Sequence, residues 1–533
     1  MSERTPTPGR LRTGIPHAPI TLTNIPRPTA HQFSQPSFRP VVGIDFGTSN
    51  TCAAWVDAQG ALRVVPINGT DYVMPTAIWF SGMQKFVVGA GARERLLDDP
   101  DNVVHGFKRF LGRRFRSDFV SRHRDRVNYK LVEGRDGKVA VEVHGTVKPL
   151  RELACHVIQR VAELATASAG RHVEDCVLSV PAHFGYEQRQ EVRAAAEMAG
   201  LEVRALINEP TAAALRYAHH RSIRGNALVY DLGGGTFDAS LICVEGGVVR
   251  VLATGGDAFL GGADFDQKIT HAVAFDFERH HGVDLTTQRV VLQRLRFACE
   301  LAKMTLSTQE EVLVRVPFVG MNRGRPLDVE YLLTRRELEL IIAPLVERTM
   351  GTCDDLLRCA NLTSDLVGEV ILVGGQTRTP AVRRRVFSRF NFDPARALDP
   401  ELAVCSGAAL LGHYLECGRS VLQDVLSVPV WMMVPGDGPR QVIAAQTPVP
   451  CSRRVTVDVT TPLGAPQTVV FFEALEPTSP DRTILGTLRM DPEWCRGPAG
   501  TVDLEVRMAQ NFSLEVRVLG GQQPVKPLTL CAS

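Results

Sequence analysis

Two short runs place the same chemistry 186 positions apart, at Asp45-Phe-Gly-Thr-Ser-Asn and Asp231-Leu-Gly-Gly-Gly-Thr-Phe-Asp. Each follows an apolar run, VVGI or ALVY, of the kind that forms a buried strand. Gly47 in the first run, and Gly233, Gly234 and Gly235 in the second, let the backbone turn tightly. Successive N–H groups can then point into one concavity, and such nests bind phosphate oxygens. Thr48, Ser49 and Asn50 on one side and Thr236 on the other add side-chain donors. Asp45 and Asp231 stand at strand ends, where a carboxylate can hold Mg²⁺ directly or through water, and Asp238 closes the second run. One glycine-rich turn reads as an ordinary tight turn. Two matched turns, each behind a strand and an aspartate, read as a phosphate clamp.

A third strand-to-glycine turn, Ile371-Leu-Val-Gly-Gly-Gln-Thr-Arg378, lets backbone approach a ligand at Gly374 and Gly375, and brings Gln376 and Arg378 with it. As a third turn of one kind it suggests the nucleoside end of a pocket. Glu300, Lys303 and Ser307 stand at i, i+3 and i+7 and share one helix face. That face is either solvated or hydrogen bonded to a ribose and a purine. Lysine is scarce, with eight among 60 basic residues, and one of them is Lys108 in HGFKRFLGRRF. Its compact ammonium suits a phosphate, whereas the neighbouring arginines through Arg126 read as a solvated basic helix. Glu209 ends a strand-like LIN run and opens the close-packed alanine helix of NEPTAAAL. A carboxylate there can bind Mg²⁺ through water or orient an attacking water.

These residues need a scaffold of strands that end together. From Val41 to Gly418 the chain alternates short β-rich runs with long helical patterns, an α/β architecture, and the matched turns imply a duplicated half-domain with the ligand between its halves. After Gly418, RRVTVDV, QTVVFFEAL, TVDLEVRM and SLEVRVL alternate apolar and polar residues with period two, as antiparallel strands with one face on a core. Residues 1–40 carry eight prolines and five arginines against one acidic residue and read as a disordered, mildly basic arm; residues 522–533 read as a tail. The length of 533 residues allows about three or four domains. With 44% hydrophobic and 22% charged residues, the composition excludes a wholly disordered chain. A formal charge of +2 gives no support for a nucleic-acid binder. Twelve scattered cysteines without a CxxC pair suit a reducing compartment. The first residues have no apolar core, and the longest apolar stretch, Val425 to Val434, contains Pro429, so neither a secretory leader nor a membrane span is expected.

The motifs IDFGTSNT, FKRFLGRRF, VPAHFGYEQRQ, NEPTAAAL, VYDLGGGTFD, FLGGADFD, RLRFACELAKMTLS and ILVGGQTRTP occur in this order between residues 41 and 418. In them the chain resembles the Hsp70 chaperones, which share the actin and sugar-kinase ATPase fold. The resemblance implies a two-lobed, actin-like α/β ATPase domain over 41–418, a linker over 419–427 and an all-β substrate-binding sandwich over 428–521. By position it implies that Asp45, Asp231 and Glu209 organise Mg²⁺, and that Glu209 and Asp238 complete the metal and water network. It further implies that Thr48 and Thr236 contact phosphates or the attacking water, that Lys108 stabilises the transferred phosphoryl, and that Glu300, Lys303, Ser307, Gly374, Gly375 and Arg378 bind adenosine. Pro181 and Arg189 match the family's nucleotide switch, and Asp424 and Leu426 match its linker.

The chain departs from the family pattern in three places. Met304 stands where many members have an arginine on adenine, Gln376 replaces a serine, and Asp399-Pro-Glu-Leu replaces the usual NPDEA. Val430-Trp-Met-Met-Val434 matches the groove strand, which makes Trp431, Met432 and Met433 candidates for peptide contact or simply for core. The family's helical lid follows the sandwich, and this chain ends first, so a lidless groove with fast peptide exchange is expected. The implied function is an ATP-hydrolysing chaperone of extended polypeptides, using ATP/ADP and Mg²⁺. It would be cytoplasmic and monomeric, with a J-domain co-chaperone and an exchange factor as partners. The alternative is a nucleotide-gated module whose β domain recognises one dedicated protein. A small-molecule kinase fits the Hsp70-specific segments poorly.

Overall fold

The computed structural model describes residues 39–69, 71–220, 224–322, 325–391, 398–458, 467–479, 482–490, 501–519 and 528–529. The expected arm, up to residue 38, and all of the expected tail but two residues lie outside them.

Two six-stranded sheets carry the duplicated motif. In the first, Val41–Phe46 pairs in parallel with Asp175–Val180 and antiparallel with Asn50–Val56. In the second, Gly225–Leu232 pairs in parallel with Glu369–Val373 and antiparallel with Phe237–Glu245. Each central strand is almost wholly buried, as its unbroken apolar run requires between two helical layers. The registers match as well. Asp45 stands opposite Cys52 and Asp231 opposite Asp238, so both aspartates sit where their strand gives way to the glycine turn.

Each half has its own apolar core, one around Ile44, Phe107 and Leu178 and one around Tyr230, Phe265 and Ile342. A third core lies between the sheets, built from Val229, Ile371 and two alanine-rich helices, Glu209–His220 and Ala403–Glu416. These helices approach so closely that a Cβ on Gly407 would lie 1.7 Å from the carbonyl oxygen of Ala212. Small residues on both helices make that contact possible.

Leu422–Val425, within the expected linker, adds in parallel to Val248–Asp257 of the second sheet and pairs on its other side, antiparallel, with the edge strand Pro448–Val449. Beyond it stand two four-stranded antiparallel sheets. One runs in the order Gly438–Ile443, Val430–Val434, Gln467–Glu473, Thr483–Met490; the other Cys451–Asp458, Thr501–Met508, Leu514–Leu519, Leu528–Thr529. Their alternating residues, among them Val430, Met432, Val457, Phe471, Leu504 and Val516, fill one common core. Met432 is 1% exposed and belongs to that core, which corrects its candidacy as a peptide contact. Trp431 and Met433 are half-buried on the opposite side of the strand, and the Trp431 indole N–H donates to the Ala474 carbonyl at 2.8 Å. No helix among the described residues is long and apolar enough to cross a membrane.

Candidate functional site

The two glycine turns face each other across a cleft. A Cβ on Gly234 would lie 2.1 Å from Ser49 Oγ, and one on Gly235 would lie 2.4 Å from Thr48 Cγ2. Only glycine lets the turns interlock this way. They line a chamber of about 80 Å³ together with Asp45, Lys108, Glu209, Asp231, Thr236, Gly374 and Gly375. Gly374 has φ +82°, and a side chain there would meet the Leu232 carbonyl at 2.4 Å.

Charge is unbalanced in this chamber. Lys108 is 1% exposed, and its Nζ donates to Glu209 Oε1 at 2.6 Å. Asp45 accepts from Ser179 Oγ at 2.8 Å. Asp238 Oδ1 accepts from the Ala182 amide at 2.9 Å and lies 3.0 Å from His183 Nδ1, while its Oδ2 is buried without a partner. Burial raises the pKa of Asp231 well above the usual carboxylate range, helped by the charges of Glu209, Asp238 and Asp45. Burial likewise pushes Glu209 up to about 7, against the pull of Lys108. Asp45 also rises through burial, which outweighs Lys108 and the Ser179 bond. Four carboxylates share one ammonium, a surplus of negative charge suited to a cation. No three potential ligands among the described residues come close enough to hold an ion unaided. A metal here therefore needs further oxygen ligands, such as phosphates and water.

A larger cavity of about 480 Å³ continues from this chamber and shares Ser49, Asn50, Gly234 and Gly375 with it. Glu300, Lys303, Met304 and Ser307 line it from one helix, Arg289–Thr305, and its C-terminal turn; Gln376 and Arg378 line it from the third glycine turn. Lys303 Nζ bonds the Gly262 carbonyl at 3.2 Å and Asp266 at 2.9 Å. Glu300 is salt-bridged to Arg93, whose guanidinium outweighs the effect of burial and holds the carboxyl below its ordinary range. Gln376 Nε2 donates to Thr379 Oγ1 at 2.9 Å, and Arg378 is clamped by Asp399 at 2.9 Å and Glu401 at 3.3 Å.

The structure joins the remaining sequence candidates into a separate network. Arg189 donates to the Phe184 carbonyl at 2.9 Å and to Asn208 Oδ1 at 2.7 Å. Asn208 Nδ2 in turn donates to Asp424 at 2.9 Å, and Thr211 reaches the same oxygen at 3.3 Å. Burial raises the pKa of Asp424. Phe184 belongs to the segment that begins at the buried Pro181, whose carbonyl accepts from the Phe184 amide at 3.1 Å. On the outer side the Arg189 guanidinium sits 4.3 Å from the Phe512 ring centroid, and the Tyr186 amide donates to Glu473 at 2.8 Å. Leu426 is buried in the core of the last two sheets.

The reading of Arg109 and Arg126 as a solvated basic helix is corrected. Phe107–Phe110 is a short 3₁₀ turn, and the Arg109 guanidinium is buried between the Gly235 carbonyl at 2.5 Å and Asp264 at 2.9 Å, against the Phe259 ring. Arg126 takes the other Asp264 oxygen at 3.0 Å. Arg93, His183 and Asp264 were also not singled out, although His183 and Asp264 lie in the VPAHFGYEQRQ and FLGGADFD motifs, and Arg109 adjoins Lys108.

The family model described as "Hsp70 protein" matches residues 41–511. The chain is 37% identical over 418 residues to "Heat shock 70 kDa protein, mitochondrial" of Dictyostelium discoideum, covering 78% of this chain and 63% of that protein. It is 36% identical over 403 residues to the protein of the same name from Solanum tuberosum, covering 76% of this chain and 58% of the other. The chain thus spans about three fifths of the length of these relatives. Both are named as mitochondrial, which overturns the expectation of a cytoplasmic location.

Proposed function

The chain belongs to the Hsp70 family, and from that membership we propose that it hydrolyses ATP to ADP and phosphate and couples its nucleotide state to the binding of extended polypeptide. The single observation that carries this reading is the pair of interlocked glycine turns enclosing four carboxylates and one buried lysine. Thr48, Ser49, Asn50, Thr236 and the turn amides hold the phosphate chain, while Glu300, Lys303, Ser307, Gly374, Gly375, Gln376 and Arg378 hold adenosine. The flexible, apolar Met304 packs on the base where an arginine stacks in relatives. Asp45, Glu209 and Asp231 would hold Mg²⁺, which would supply the positive charge that this carboxylate-rich chamber lacks. Lys108 places a fixed ammonium where charge builds on the transferred phosphoryl. Glu209 and Asp238 orient the attacking water in line with the breaking bond.

Coupling runs through the segment from Pro181 to Phe184. Asp238 holds its Ala182 amide and His183 ring on the nucleotide side, and Arg189 holds its Phe184 and Ala182 carbonyls on the linker side and reaches Asp424 through Asn208. A change in how tightly the lobes close is thereby passed to the linker strand and to the contacts at Glu473 and Phe512. Trp431 and Met433 contact bound peptide. A J-domain co-chaperone and an exchange factor complete the cycle.

The test is steady-state ATP turnover with and without an extended apolar peptide, with Lys108→Ala as control. Peptide-stimulated turnover that the substitution abolishes is the expected result. Turnover indifferent to peptide would overturn the coupling and leave only the ATPase.

A further inference from the structure

The large cavity extends past the residues that hold a nucleoside. Lys303 marks its phosphate end, because its Nζ reaches the Gly262 carbonyl, and the Gly262 amide donates to the carbonyl of Gly233 in the second glycine turn. Arg296 lies seven residues back along the same helix, about 10 Å toward the other end. There the cavity is walled by Arg93, Leu96, His105, Gln293, Arg296 and Phe297.

Most polar groups at this end are accounted for, since Arg93 is tied to Glu300 and Asp266 to Lys303. Two are not. Arg296 is half-buried and has no hydrogen bond or ion pair among the described residues; burial lowers its pKa with no carboxylate to offset it. His105 faces it from the other lobe, and His105 Nε2 is buried without a partner. Burial pushes the His105 pKa down to about 4, with Arg93 and Arg296 acting in the same direction, so the ring is neutral near pH 7 and can turn its one N–H, at Nε2, toward an anion. A guanidinium drawn partly out of water without a counter-charge is unfavourable unless an anion meets it. The triphosphate cannot be that anion, because the phosphate turns lie at the opposite end.

On the nucleotide reading above, we infer that this outer chamber is a second anion site, which takes adenine nucleotides carrying an additional phosphate on a ribose hydroxyl. Arg296 is its charged anchor and His105 its neutral donor. Glu300, one turn from Arg296, faces the sugar, so a phosphate on the 2′ or 3′ oxygen projects toward Arg296 and not toward the glycine turns. Arg93 masks the Glu300 charge that would otherwise repel it.

The experiment is isothermal titration of the full chain, with Mg²⁺ present, using ADP, ADP carrying a 3′-phosphate and ADP carrying a 2′-phosphate. One of the two phosphorylated forms is expected to bind about tenfold tighter than ADP, the value of one charge-assisted contact. Arg296→Met should erase that gain while ADP binds within about twofold of wild type, with an unchanged circular dichroism spectrum. His105→Phe should reduce the gain to about threefold. If ADP binds and neither phosphorylated form gains, or if the gain survives Arg296→Met, the second anion site is overturned and the nucleotide reading stands. If ADP itself fails to bind, the nucleotide reading falls and this site falls with it.

Discussion

Replacing Glu209 by Gln should stabilise the ligand-free protein, and only at high pH. Glu209 shares its chamber with Asp45 and Asp231, feels the charge of Asp238, and has one cationic partner, Lys108 at 2.6 Å. Burial and the neighbouring carboxylates overcome that partner and raise the pKa from an ordinary 4.5 to about 7. Between these two values the native carboxyl holds a proton that the unfolded chain has already released. Stability therefore falls as pH rises through this window, and above it the full penalty is in place. A shift of this size corresponds to about 3 kcal/mol. Glutamine resembles the protonated acid in shape and charge. Glu209→Gln should thus lie within about 1 kcal/mol of wild type at pH 5 and exceed it by about 3 kcal/mol at pH 8. The assay is urea denaturation of nucleotide-free protein at both pH values, following the transition of the two lobes that carry the glycine turns. Added Mg²⁺ and ADP should stabilise wild type more than the variant, because the cation is what the ionised carboxylate awaits. A variant no more stable than wild type at pH 8, or a difference of the same size at pH 5, would refute the argument that uncompensated charge is stored in this chamber.

Three further outcomes follow from the packing. Gly235→Ala forces a methyl against Thr48 Cγ2 at 2.4 Å and pushes the glycine turns apart, so nucleotide affinity by titration should drop at least about tenfold. Gly407→Ala places a methyl 1.7 Å from the Ala212 carbonyl, and with backbone on both sides the helices must separate; the expected loss is about 3 kcal/mol or more in denaturant unfolding. Arg189→Ala removes the bonds to Phe184 and Asn208 and the contact with Phe512, so peptide should no longer stimulate turnover and ATP should no longer protect residues 419–427 from limited proteolysis.

How far such features could be read in advance depended on where each residue's partner lies in the chain. The paired glycine turns were legible because strand, aspartate and glycines are contiguous, and the repeat at 45 and 231 states the same geometry twice. The face of Glu300, Lys303 and Ser307 was legible because helical period is a local property. Arg109 was not, since its burial is decided by Gly235 and Asp264, 126 and 155 residues away. Nor was Met432 separable from its neighbours. A strand reveals its inner face by alternation, and Val430-Trp-Met-Met-Val434 is apolar at every position. The segment Asp399-Pro-Glu-Leu makes the same point from the other direction. Read alone it is only a departure from the family pattern. In the structure its two carboxylates close on Arg378, so this chain holds with a pair of acids the guanidinium that the third glycine turn presents. Removing one acid leaves the other within reach, whereas Asp399→Ala combined with Glu401→Ala frees Arg378 altogether. The double variant should therefore weaken adenosine binding by more than the two single effects combined, and a titration series that found them simply additive would mean the acids do not act on Arg378 as a unit.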